Sequence, residues 1–210
     1  MRLAIRATPQ QRRRKSAKAV TGDVLAKLLA TCAGDSLRDL RDKAILMVGF
    51  ASGGRRRSEI AGLRTEQQLT VEGGASLPSL SIHLGRTKTS VAGNDEVVYL
   101  TGRPVDALNA WLLAAKIDSG SVFRAIDRWG NVSRRAIDPK AVNDIVKQRA
   151  ALAGLEPGEF SAHGLRSGYL TEVDTNGLMI SLTKQVWVIA CFPTAAFTTC
   201  LSEVKCRLLQ

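Results

Sequence analysis

Apolar residues recur at helical spacing early in the chain, give way to short alternating runs in the middle, and then return to helical spacing. Thr21 precedes Val24, Leu25, Leu28 and Leu29. A hydroxyl residue before an i, i+3, i+4 stripe predicts a capped helix, and Gly34 breaks it. Ser36 and Asp39 then fit a capping-box pattern. The helix they open puts Leu37, Leu40, Ala44, Met47 and Val48 on one face and Arg38, Arg41, Asp42 and Lys43 outward. Gly49, Gly53 and Gly54 loosen the chain before Arg55-Arg56-Arg57, and a third helix turns Ile60 and Leu63 inward.

The middle reads as strands: Leu69-Thr70-Val71, Leu80 to Leu84, and Glu96 to Leu100. Turn regions at Gly73-Gly74 and Gly93-Asn94-Asp95 connect them, and Lys88 lies just past the second strand. Pro104 suits a first helical turn, with Leu108, Trp111 and Leu112 facing the core. A polar loop containing Gly120 and Gly130 follows. Asp138-Pro139 opens a helix with Val142, Ile145, Val146 and Leu152 inward. The fold class is therefore α+β, mostly helical, with a small antiparallel β-sheet. Three segments emerge: 1–20 as a basic arm or remnant linker, 21–172 as the folded domain, and 173–210 as an atypical C-terminal tail. The tail has a single Arg, three cysteines, and apolar residues that run together without a clean period.

Charge changes the picture more than composition does. Thirty Lys and Arg against 19 Asp and Glu give a net charge of +11, which favours a polyanionic partner. Residues 1–18 hold Arg12, Arg13, Arg14 and Lys15 among seven cations and no acid. Such a segment is either a solvated tail or an arm lying along phosphates. The four cysteines, Cys32, Cys191, Cys200 and Cys206, have no metal-ligand spacing and read as reduced thiols of a cytoplasmic protein. Residues 186–197 are too short and too interrupted, by Pro193, to span a bilayer, so no membrane partner is expected.

Two short elements carry candidate chemistry. The first is Gly54-Arg55-Arg56-Arg57-Ser58-Glu59-Ile60, the second His163-Gly164-Leu165-Arg166. Each alone is weak, since arginine runs are usually solvated. In this order, with a strand-end lysine in Arg86-Thr87-Lys88-Thr89 between them, they resemble the catalytic domain of the tyrosine recombinases, the phage-integrase family. The resemblance covers about Thr21 to Leu170. It implies site-specific DNA recombination or integration on double-stranded DNA, with other recombinase subunits as further partners. It assigns Arg56 and Arg166 to clamping phosphoryl oxygens, Lys88 to protonating the leaving 5′ oxygen, His163 to the phosphate or its proton, and Glu59 to orienting its neighbours. Guanidiniums suit that task because they hold paired donors in a plane and keep their charge. Arg12, Arg13, Arg14, Lys15, Arg55, Arg57 and Arg86 would add phosphate contacts. No metal or other cofactor is implied, because these cations supply the charge that magnesium supplies elsewhere.

The chain departs from the family where the nucleophile should be. Its two tyrosines are Tyr99, in the third strand, and Tyr169, three residues past Arg166. The family nucleophile sits in a separate, later helix. A helical domain usually found ahead of the catalytic domain is also replaced by the basic segment. Together these departures suggest a truncated chain with a replaced tail, able to engage DNA and unable to complete strand cleavage. One alternative is a non-enzymatic DNA-binding protein that modulates an intact recombinase. A second is an enzyme that receives its tyrosine from another subunit.

Overall fold

The computed structural model describes residues 18–72, 79–84, 96–175 and 186–189. Helices α1 (Gly22–Ala30), α2 (Leu37–Ala51), α3 (Arg57–Ala61) and α4 (Thr65–Gln68) come first. Strands β1 (Leu69–Glu72), β2 (Ser79–Leu84) and β3 (Glu96–Thr101) follow, then α5 (Arg103–Ala114). A hairpin of β4 (Arg124–Ile126) and β5 (Val132–Ala136) precedes α6 (Pro139–Leu152), a short 3-10 turn (Pro157–Glu159), α7 (Ala162–Thr175) and β6 (Val186–Ile189). The fold is α+β and mostly helical, as the apolar spacing predicts. Among the described residues no helix is long and apolar enough to cross a membrane.

β1, β2 and β3 pair antiparallel, with Leu80 opposite Val71 and Leu100, and Ile82 opposite Leu69 and Val98. β6 adds a fourth strand parallel to β3, Trp187 standing opposite Val98. The sequence pattern does not predict this strand, although four consecutive apolar residues fit one. The β4–β5 hairpin replaces the expected polar loop. Its strands are short and half-exposed, so they lack the apolar alternation that announces a strand.

α2 organises the interior. Its N-cap is Ser36, whose Oγ accepts from the Asp39 N–H at 3.1 Å and donates to Asp39 Oδ2 at 2.7 Å. At the head of α1, Thr21 occupies the N-cap position but makes no side-chain cap bond. From Ala44 to Ala51 every residue of α2 is buried, because the run is apolar on all sides. Ala44, Ile45, Val48 and Ala51 join one core with the sheet, α5 and α6, centred on Trp111, Phe123, Leu108 and Ile82. Leu46 and Phe50 join a second core with Leu28, Val146, Leu165 and Tyr169. The indole N–H of Trp111 donates to the Val122 carbonyl at 2.9 Å, so its burial leaves no donor unpaired.

Two inward or outward expectations are corrected. Asp42 is not outward: it is buried, because Arg149 of α6 reaches it. Arg149 Nη2 and Nε lie 2.7 and 2.9 Å from Asp42 Oδ2, and Nη2 lies 2.8 Å from Asp39 Oδ1. Arg149 Nη1 donates to the Thr31 carbonyl at 2.8 Å, and Arg41 pairs with the other Asp42 oxygen at 2.8 Å. One guanidinium thus ties α6 to α2 and to the end of α1. Leu152 is not inward: it sits in the last turn of α6 at the margin of the buried stripe and is largely exposed.

Asp42→Ala leaves a buried guanidinium without its main partner, and we expect a loss of about 3–5 kcal/mol in urea unfolding. Replacing both members by apolar residues, Asp42→Leu with Arg149→Met, should cost much less. Asp39 adds an acid limb. Its hydrogen bond from Ser36, and then its bond to Arg149, hold its carboxyl below the usual range. That contribution is present above the ordinary carboxylate pKa and is lost as pH falls through the lowered folded value. Ser36→Ala should shift the acid-unfolding midpoint upward in pH-titrated circular dichroism.

Candidate nucleic-acid interface

The first candidate element begins where α2 ends. Gly53 and Gly54 both adopt positive φ, +80° and +65°, which only glycine adopts readily. The reversal brings Arg55, Arg56 and Arg57 out of the core. Arg55 Nε donates back to the Ser52 carbonyl at 3.0 Å, which pins that arginine to the α2 terminus. Arg56 is the N-cap of α3 and is exposed. Its backbone N–H donates to Glu59 Oε2 at 3.1 Å, so Glu59 fixes the backbone from which the Arg56 side chain projects. Arg57 is exposed in the first turn of α3. Ile60 of α3 is buried in the first core, as the spacing predicts; Leu63, expected on the same helix, is also buried there but lies two residues past its end.

The second element lies on α7, where His163 and Arg166 are one turn apart and both exposed. α7 is packed down by Leu165 and Tyr169. Two glycines set its position. At Gly54 an added Cβ would stand 2.1 Å from the Arg166 Cα, and at Gly168 it would stand 1.7 Å from the Val20 carbonyl oxygen. The Val20 N–H also donates to the Gly164 carbonyl at 2.8 Å. α7 is therefore held between the residue-54 turn and the Lys18–Val20 segment. Arg166 Nη1 lies 3.4 Å from the Gly54 carbonyl, a long contact. The structure thus brings Arg56, Glu59, His163 and Arg166 to one region.

Lys88 and Arg86 lie outside the described residues, as do Arg12, Arg13, Arg14, Lys15, Cys191, Cys200 and Cys206. β2 ends at Leu84 and β3 starts at Glu96, so Lys88 falls in the connection between two paired strands. Tyr169 is buried against Phe50, edge-to-face at 6.0 Å and 88°. Burial holds its phenol above the ordinary pKa, opposed in part by the Arg55 charge. Tyr99 sits within β3, paired with Ser81 on one side and Val188 on the other. Sequence spacing misses the Gly54–Arg166 contact; the paired glycines before the arginine run were its only signal.

No protein-family model matches the chain. It is 34% identical over 143 residues to an integrase/recombinase xerD homolog of Selenomonas ruminantium, covering 65% of this chain and 40% of that protein. It is 28% identical over 169 residues to the tyrosine recombinase XerD of Xanthomonas axonopodis pv. citri, covering 76% of this chain and 50% of that protein. The chain therefore spans half the length of these relatives or less. In fold it resembles the XerH site-specific recombinase in its post-cleavage complex with a palindromic difH substrate, with a TM-score of 0.60, 16% identity, and coverage of 93% of this chain and 53% of that one. The XerA recombinase matches with a TM-score of 0.56 and 18% identity, over 90% of this chain and 66% of that one.

Gly54→Ala should force the turn and α7 apart. We expect a loss exceeding the roughly 1–2 kcal/mol cost of a left-handed alanine, because the methyl also meets the Arg166 backbone; urea unfolding measures it. The motif order, the α+β architecture and these relatives agree: the chain is similar in sequence to tyrosine recombinases and has the fold of their catalytic domain.

Proposed function

We propose that these 210 residues form a DNA-binding protein of the site-specific recombination class that engages a backbone phosphate and does not form the phosphotyrosine bond by itself. In this reading Arg56 and Arg166 clamp the phosphoryl oxygens and His163 hydrogen-bonds the same phosphate. Lys88 would add its charge at the same phosphate, and Glu59 orients the start of α3. Arg57, Arg86 and the basic residues Arg12 to Lys15 add contacts along the strand, while Arg55 acts partly as a structural brace. The observation that carries the reading is the approach of Arg166 to Gly54, which sets two arginines distant in sequence beside one turn.

The limit on chemistry rests on the two tyrosines. An attacking phenol needs near-attack alignment and activation. Tyr169 is packed against Phe50 with its proton held more tightly than usual, and Tyr99 is embedded in a sheet strand. Neither suits in-line attack on a phosphate held by Arg56 and Arg166.

A nicked suicide duplex tests both halves. We expect a gel shift with no SDS-resistant protein–DNA adduct. An adduct abolished by Tyr169→Phe would overturn the limit on chemistry. Affinity should fall steeply with salt, and Arg56→Ala or Arg166→Ala should each reduce the slope of log K against log salt by about 1. An unchanged slope in both variants would remove the phosphate assignment.

A further inference from the structure

The tip of the β4–β5 hairpin lies at the head of α2, away from the Arg56–Arg166 region at its other end. Its turn runs Asp127-Arg128-Trp129-Gly130-Asn131. Asp127 Oδ1 accepts from the N–H groups of Trp129 and Asn131 at 2.8 Å each, and Oδ2 accepts from Asn131 Nδ2 at 2.9 Å. Gly130 supplies the positive φ, +91°, that closes the turn. Arg38, in the first turn of α2, donates to the Asp127 carbonyl at 2.7 Å. At the other end, the Val122 N–H donates to the Leu63 carbonyl at 2.9 Å and the Ile137 N–H to Phe123 at 2.9 Å. The hairpin is therefore fixed at tip and root.

On this fixed tip Trp129 is 72% exposed. A single exposed apolar side chain is ordinary on a protein surface, but this one is an aromatic held on a turn that hydrogen bonds fix in place. Arg128 lies over the ring, its guanidinium carbon 4.0 Å from the centroid, which covers one face and leaves the other open. Arg128, Arg134 and Arg135 are all exposed. Among the described residues, none of the three side chains has an ion-pair partner. Arg124, by contrast, is spent on the Ser119 and Ser121 carbonyls. The one acid of the hairpin, Asp127, is occupied by the turn.

We propose that this hairpin is a second DNA-contacting element, in which Arg128, Arg134 and Arg135 meet phosphates and the open face of Trp129 stacks on an accessible base. Exposed cations and an exposed indole on one hairpin match a nucleic-acid strand, whose phosphates are anionic and whose bases offer π-faces. The element is distinct from the Arg56–Arg166 region. Its tip is tied to the N-terminal end of α2, whereas Arg56 follows the C-terminal end, and a 15-residue helix spans about 22 Å. The inference rests on the chain being a DNA binder, and the assignments fail separately.

The test compares an intact duplex with the same duplex carrying a short single-stranded gap. Trp129→Ala should leave the fold intact, since the side chain is on the surface, and should weaken binding to gapped DNA by about 5- to 150-fold, with a smaller effect on intact duplex. Arg134→Ala and Arg135→Ala should each lower the salt slope by about 1 on both DNAs. The hairpin assignment is overturned if all three variants bind both DNAs as the parent does while Arg56→Ala weakens binding. It is also overturned if they lose only the capture of an intact recombinase subunit, which would make the tip a protein contact. Loss in the hairpin variants with none in Arg56→Ala would keep the hairpin and remove the phosphate site. No DNA binding by the parent chain would overturn both.

Discussion

The candidate interface depends on one contact, the approach of the Arg166 backbone to Gly54. No side chain fits between them, since even a methyl would stand 2.1 Å from the Arg166 Cα. Glycine is required there for its positive φ as well as for its size. The contact joins residues more than a hundred positions apart and sets the spacing between the Arg55–Arg57 run and α7. A guanidinium pair acts on one phosphate only if its spacing is held without reorganisation at the moment of binding. The turn fixes the backbone positions from which Arg56 and Arg166 extend.

Both partners of this contact are anchored by burial. α2 is enclosed between two cores from Ala44 to Ala51, so its C-terminal end cannot shift without disturbing either. α7 is held by Leu165 and Tyr169 below and by the Val20 backbone at Gly168. Tyr169 thereby serves the scaffold. The buried Arg149–Asp42 pair locks α6 to α2 on the same frame. Its desolvation cost is large, yet the pair joins α6, α2 and the end of α1 at one point, which a nonpolar contact would do with less orientation. Arg38 and Asp127 extend the frame from the head of α2 to the hairpin tip.

Much of this was legible in the residues. The stripes of α1, α5 and α6 appear in their apolar spacing, and β1 to β3 appear as short runs between turn residues. The arginine and His-x-x-Arg elements were visible because residue type and order carry the chemistry. Other features were not legible because they depend on distant partners. Asp42 looks like part of a solvated face until Arg149 is brought beside it. The hairpin at 124–136 is poor in buried residues, so its strands are set by pairing and by the Asp127 turn and not by amphipathic alternation. β6 exists by pairing with β3, and a local pattern does not specify that neighbour. The roles of Gly54 and Gly168 are likewise invisible until the opposing backbone is known.

The central claim is that Arg56 and Arg166, joined through the Gly54 turn, act on one phosphate. A double-mutant cycle on DNA affinity with Arg56→Ala, Arg166→Ala and the double variant, at one fixed salt concentration, measures this most directly. The account predicts that each single change weakens binding and that the double change departs from additivity by about 0.5–3 kcal/mol, as for groups sharing a partner. Losses that simply add, or single variants that bind as the parent does, would contradict it.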